Sequence, residues 1–130
     1  MVRKAVVTGI GIVSSLGDNA KEVLTSLKEC KSGISYSEEY AEKGFRSHVY
    51  GMPKIDLNDA LDRKNKRFMG DGAAYNYLSM EEAITDSGLS EEQVSHERTG
   101  LIMGSGGPST RNLIQAADTA RERGPKKVGP

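Results

Sequence analysis

The stretch Val6–Asn19, VVTGIGIVSSLGDN, sets a glycine pair directly behind an apolar run at the head of the chain. Ala5–Val7 predicts a short buried strand, and Gly9-x-Gly11 behind it is how a dinucleotide-binding turn begins. Such a turn carries its third glycine three residues later and starts its helix inside the loop, so that the helix N-terminus faces a pyrophosphate. Here that position is Ser14. The first helix start is Asn19-Ala-Lys-Glu22, a capping box in which Asn19 accepts from a backbone N–H and Glu22 reaches back. Glu29-Cys-Lys-Ser-Gly33, where a ribose-binding acid would stand, reads instead as helix end and turn. The glycines therefore read as a crossing of small residues where backbones pack closely.

The rest of the chain bounds what that crossing belongs to. At 130 residues the chain is one domain's worth, with charged residues at 28% and aromatics at only 5%, so its core is aliphatic and small. Eighteen basic residues balance eighteen acidic ones, which argues against a nucleic-acid or membrane-surface protein. No apolar run is long enough to span a bilayer, and Met1–Lys4 leads into the strand without an export signal, so the expected location is cytoplasmic. Cys30 is the lone cysteine, which excludes an internal disulfide and a cysteine metal cluster. His48 and His96 lack ligand spacing, and neither a metal nor a cofactor is expected.

Past the opening loop, Ala20–Lys28 predicts a helix with Val23, Leu24 and Leu27 on one face. Residues 34–55 are polar and irregular, with a short strand inside Ser47–Gly51. A basic helical segment covers Asp59–Arg67. The longest helix runs from Asp71 to Ser87, where Ala73, Tyr77, Met80 and Ile84 recur at helical spacing and Gly88 is the stop. Ser90–Gln93 is a second capping box, and Thr99–Met103 predicts a second apolar strand parallel to the first across the intervening helices. Gly104–Gly107 makes a small-residue turn, Ser109 or Thr110 caps a last helix, and Gly124-Pro125 breaks it. The fold class is α/β. Two parallel strands do not make a sheet covered on both faces, so further sequence is expected after Pro130.

Six stretches together carry a resemblance: Ala5–Gly17, Phe45–Gly51, Asp62–Met69, Leu78–Glu81, Gly100–Gly107 and Val128–Pro130. They are similar to the N-terminal part of beta-ketoacyl-[acyl-carrier-protein] synthase I, and the similarity runs the length of the chain. The resemblance implies that residues 1–130 are the beginning of the first half of a thiolase-like fold, incomplete in this chain, from an enzyme that works as a homodimer. It implies an acyltransferase of fatty-acid biosynthesis that joins an acyl group to malonyl-acyl carrier protein by decarboxylative Claisen condensation. The acyl-bearing cysteine and two assisting histidines of that chemistry lie beyond Pro130 in the family's order. Cys30 sits at a helix end, without the helix N-terminus that would activate a thiol, and so carries no catalytic assignment. Catalytic residues in this segment are expected to number none, and the chain is expected to be inactive alone.

Two kinds of site remain. The resemblance makes Gly106 and Gly107 the border of an acyl pocket, where an absent side chain leaves room for the acyl chain; a tight strand-to-helix turn explains the same glycines. It also makes Arg63, Lys64 and Arg67, with Arg46, Arg123, Lys126 and Lys127 as lesser candidates, a docking face for acyl carrier protein bearing acyl or malonyl groups. Spacings of three and four place Arg63 and Arg67 on one helix face with Lys64 beside them. A carrier protein is an acidic helical bundle, and a basic face would steer it in. The competing reading is a non-catalytic module that docks carrier protein or a partner synthase.

Overall fold

The computed structural model describes residues 4–129. It divides into two compact units, Met1–Ile55 with Leu78–His96 and Asp56–Tyr77 with Glu97–Pro130. Each is built mainly from helices whose limits are set by local capping.

In the first unit the opening loop runs without regular structure to a two-residue turn, closed by Ser14 N–H to Gly17 O at 2.9 Å and the reverse bond at 3.3 Å. Helix α1 (Ala20–Lys28) follows, capped by the Asn19 side chain, which accepts from Glu22 N–H at 3.0 Å. The capping box differs from expectation in its second half. Glu22 accepts from the Asp18 backbone N–H at 2.9 Å and from the Asn19 side-chain amide at 3.0 Å, one residue further out than the box requires. Val23 is the buried residue of α1. The chain then forms strand β1 (Ile34–Tyr36), the short helix α2 (Glu38–Glu42) and strand β2 (Val49–Gly51). The strands pair antiparallel with Ile34 opposite Gly51 and Tyr36 opposite Val49. Tyr40 of α2 packs on Phe45 and Tyr50, with ring centroids 5.1 and 5.9 Å apart.

The long helix α5 (Asp71–Ser87) begins and ends where its spacing predicts, and Gly88 stops it at φ 67°. Its Leu78–Ser87 stretch belongs to the first unit, together with α6 (Glu91–Val94). The Ser90–Gln93 capping box of α6 is complete.

The second unit holds α3 (Leu57–Ala60), α4 (Arg63–Lys66), the start of α5 and α7 (Thr110–Arg123), then a 3-10 turn at Pro125–Lys127. The basic segment expected as one helix over 59–67 is two. Leu61 takes extended backbone angles, φ −124° and ψ 143°, and Asp62 starts a new helix by accepting from Lys64 N–H. The reason is local, since Asp62, like Asp56 before α3, opens a helix with a short side-chain-to-backbone bond and Leu61 between them leaves the helical angles. Leu57, Leu61 and Ala74 are buried in this unit. Ser109 caps α7 and Gly124 ends it at φ 87°.

The expected parallel strand pair is not formed. Neither Ala5–Val7 nor Thr99–Met103 is a strand, and the strands that do pair, β1 and β2, are antiparallel. Val6, Val7, Leu101 and Ile102 remain 79, 82, 65 and 97% exposed. A parallel strand is held by hydrogen-bonded neighbours on its edges and by cover on both faces, and apolar composition supplies neither. At the level of class the chain is mixed helix and strand.

Candidate docking face and glycine turns

Gly9 and Gly11 lie directly on the backbone of α5. A Cβ on Gly9 would sit 2.2 Å from the Ala83 carbonyl oxygen, and one on Gly11 would sit 1.8 Å from that of Ser79. Both distances are far inside van der Waals contact, so only glycine fits. Carboxylates of the same helix then take the N–H groups of the loop: Asp86 accepts from Ile10 N–H at 2.9 Å, and Glu82 from Ile12 N–H and Ala20 N–H, each at 2.8 Å. Glu82 thus ties the opening loop, at Ile12, to the first residue of α1. These amides are occupied by the protein's own carboxylates, which leaves them no role toward a phosphate.

The second glycine turn, Gly104–Gly107, is of a different kind. Ser105 closes it, its hydroxyl donating to Gly107 O at 2.7 Å and accepting from Gly107 N–H at 3.4 Å. A Cβ added at Gly104, Gly106 or Gly107 would meet nothing within 4 Å.

Among the basic candidates, Arg63 and Arg67 line one groove of about 570 Å³ together with Asn58, Leu61 and Lys66. Leu61 supplies its apolar floor. The Arg67 guanidinium lies 5.6 Å from the Phe68 ring centroid, a contact that orients the cation without neutralising it. Lys64 is exposed beside this groove and is not part of its lining. Arg123 lines a separate groove along α7 with Arg111, Ile114, Asp118 and Glu122. Lys126 and Lys127 form the 3-10 turn after it. Arg46 lies in the first unit, at a bend between α2 and β2. Lys66, absent from the sequence-based set, is the groove's third cation. The signal was present: Lys66 stands three residues after Arg63, so the helical-spacing argument that paired Arg63 with Arg67 applies to it as well.

The remaining chemistry-bearing residues have local settings. Cys30 is exposed at the end of α1 with φ 52°, the left-handed conformation usually left to glycine. The His48 ring stands edge-on to Tyr36 at 6.0 Å and its carbonyl accepts from Ser37 N–H at 2.7 Å. Among the described residues no group of three or more His, Cys, Asp or Glu is placed to hold a metal ion, and no helix is long and apolar enough to cross a membrane.

The family model "Beta-ketoacyl synthase, N-terminal domain" matches residues 3–129. The chain belongs to the beta-ketoacyl synthase family. It is 53% identical over 130 residues to 3-oxoacyl-[acyl-carrier-protein] synthase 1 of Haemophilus influenzae and 52% identical over 131 residues to that of Escherichia coli, in each case across 99% of this chain. A beta-ketoacyl synthase from Burkholderia phymatum superposes on 99% of the chain with a TM-score of 0.74 at 26% identity. In all three comparisons the chain spans 32% of the relative's length. Its similarity is to the N-terminal third of a beta-ketoacyl synthase, as the six sequence stretches imply.

Proposed function

We propose that this chain is the N-terminal segment of a fatty-acid condensing enzyme of the thiolase-like kind, and that its contribution is to receive acyl carrier protein on the face of α4. The observation that carries the reading is the groove in which Arg63, Lys66 and Arg67 converge over the apolar floor of Leu61. Among the described residues the ion pairs engage other cations, so these three retain their charge for a partner. An acidic helical carrier would place carboxylates against the guanidinium groups and an apolar side chain toward Leu61. The long-range attraction speeds encounter more than it deepens affinity. The condensation itself, in which an enzyme-held acyl group is attacked by the carbanion left when malonyl thioester loses carbon dioxide, falls to residues outside these 130 on the family's order. Gly106 and Gly107 border the acyl chain's path in this reading, and their lack of side chains leaves it room.

The test is charge reversal in the enzyme that contains this segment. Arg63→Glu is expected to raise the apparent KM for acyl-carrier protein about tenfold with kcat little changed. Activity on acyl-pantetheine, which brings no acidic protein, should fall far less. Rising salt should bring the wild type toward the variant, because screening shortens the reach of exposed charge. Equal losses on both substrates would make the α4 face a support of the fold or pocket and not a docking surface.

A further inference from the structure

Lys66 is held differently from the other cations of its helix. Of Arg63, Lys64, Lys66 and Arg67, it alone is partly sheltered, and among the described residues it alone of the four has a side-chain hydrogen bond, donating to Asn58 Oδ1 at 2.6 Å. Asn58 is in turn fixed by Asp56. One Asp56 carboxylate oxygen accepts from the Asn58 backbone N–H at 2.7 Å and from its side-chain N–H at 3.0 Å. That second bond commits Nδ2 and leaves Oδ1 to face Lys66, so the amide orientation is set by the aspartate. Three residues thus form a relay that ends on an ammonium in the groove.

The chemistry of the relay matters. Its last acceptor is a neutral amide, which orients Lys66 without cancelling its charge. An ammonium has three donors, and one is used on Asn58, so two remain for a ligand. A lysine held this way has lost much of the rotamer freedom that an exposed lysine would give up on binding, so its contact with a carboxylate costs less ordering entropy.

We propose that Lys66, oriented by Asp56 and Asn58, is a specificity-determining residue of the docking face, contacting a carboxylate on the acidic helical surface of the carrier protein. The inference rests on the docking reading above and adds to it. Asn58 is a positioning residue that acts through Lys66. The occupant is an acidic protein surface and not a free anion, because Arg63, Lys66 and Arg67 line an open groove of about 570 Å³ with Lys64 exposed beside it, a spread of cations that several carboxylates on one protein face can meet and a single small anion cannot.

The experiment measures binding of fluorescently labelled acyl carrier protein to the enzyme that contains this segment by anisotropy at low and moderate salt. Lys66→Met, which keeps most of the aliphatic length, is expected to weaken binding about fivefold at low salt and to flatten the salt dependence. Lys66→Arg should recover most of the loss. Asn58→Leu, which keeps the charge and removes its guide, should weaken binding about twofold to threefold with the salt dependence retained. Lys28→Met, in the last turn of α1, serves as a control for net charge and should change little. Amide exchange over Asp56–Arg67 is recorded for each variant, and loss of binding that tracks loss of protection there overturns the proposal in favour of a structural role. If Arg63→Glu weakens binding and Lys66→Met does not, this inference fails while the docking reading stands. If neither does, or if the wild type does not bind, both fail. Competition by inorganic phosphate at millimolar concentration that is abolished in Lys66→Met would make Lys66 a free-anion site and overturn the carboxylate assignment.

Discussion

The two glycine turns, Gly9–Gly11 and Gly104–Gly107, look alike in sequence and differ in what surrounds them. Each follows an apolar run and precedes a helix. The first is pressed against α5 so closely that a methyl group at Gly11 would lie 1.8 Å from a carbonyl oxygen, while one at Gly107 would touch nothing. The first is also bound by Glu82 and Asp86, while among the described residues the second is closed by its own Ser105. Packing thus demands glycine in the first turn, where backbones meet, and makes no such demand in the second, where an added Cβ has no neighbour within 4 Å. The first turn therefore constrains stability and the second does not.

The sharpest way to break this contrast is a pair of alanine substitutions. Gly11→Ala should destabilise the chain by about 3 kcal/mol or more, since backbone must move to admit the methyl group. Gly107→Ala should stay within about 0.5 kcal/mol. Urea midpoints measure both. Similar costs at the two positions would mean that the turns do not differ as described.

Next in size is the carboxylate that holds the first turn. Glu82→Ala removes two charge-assisted bonds to Ile12 and Ala20 N–H groups and leaves both donors without a partner, an expected cost of about 2–4 kcal/mol. Faster amide exchange at Ile12 and Ala20, with α7 amides unchanged, is the accompanying signature. Unchanged exchange at these two amides would show that the clamp is not made.

A smaller effect comes from the end of α1. Cys30 occupies the position after the helix with φ 52°, and Cys30→Gly relieves that strain, offset in part by the added freedom of the unfolded chain. A gain of about 0.5 kcal/mol in the same urea measurement is expected. A clear loss would mean that the Cys30 side chain makes a contact that stabilises this turn.

The smallest is a pH effect at Glu22. The Asp18 backbone N–H, and then the Asn19 side-chain amide, hold its carboxyl below the ordinary value of 4.5. A carboxylate with a lowered folded value stabilises the chain above 4.5 and loses that contribution as pH falls through the folded value. Glu22→Gln should therefore reduce stability near neutrality and flatten its fall on the acid side. A carbon-detected titration of Glu22 with a midpoint at or above 4.5 would contradict the assignment.

Helix limits were legible in the sequence because they are decided within four residues. Asn19, Ser90 and Ser109 each cap a helix with their own side chain, and Gly88 and Gly124 stop one by adopting a positive φ. None of these needs a distant partner. The basic segment over 59–67 was legible in composition but not in geometry. Asp62 restarts the helix there, and the break at Leu61 turns Lys66 toward Asn58. The short β1 strand and α2 were missed because three residues such as Ile34-Ser-Tyr36 carry no period; they become a strand only by pairing with Val49–Gly51.

By itself the sequence determined the helices α1, α5, α6 and α7, the caps at Asn19, Ser90 and Ser109, the cationic character of Arg63–Arg67 and, through its six matching stretches, the family. Those properties follow from contacts between near neighbours or from the residues themselves. The tertiary structure decided which segments pair as strands, which glycines are crowded and which are open, and which cation is held in the groove. The first two depend on groups far apart in the chain: Gly11 and Ser79 meet only after the backbone between them has been folded, and no local pattern encodes that meeting. Asn58 and Lys66 are eight residues apart and meet across the break at Leu61, which helical periodicity alone does not announce.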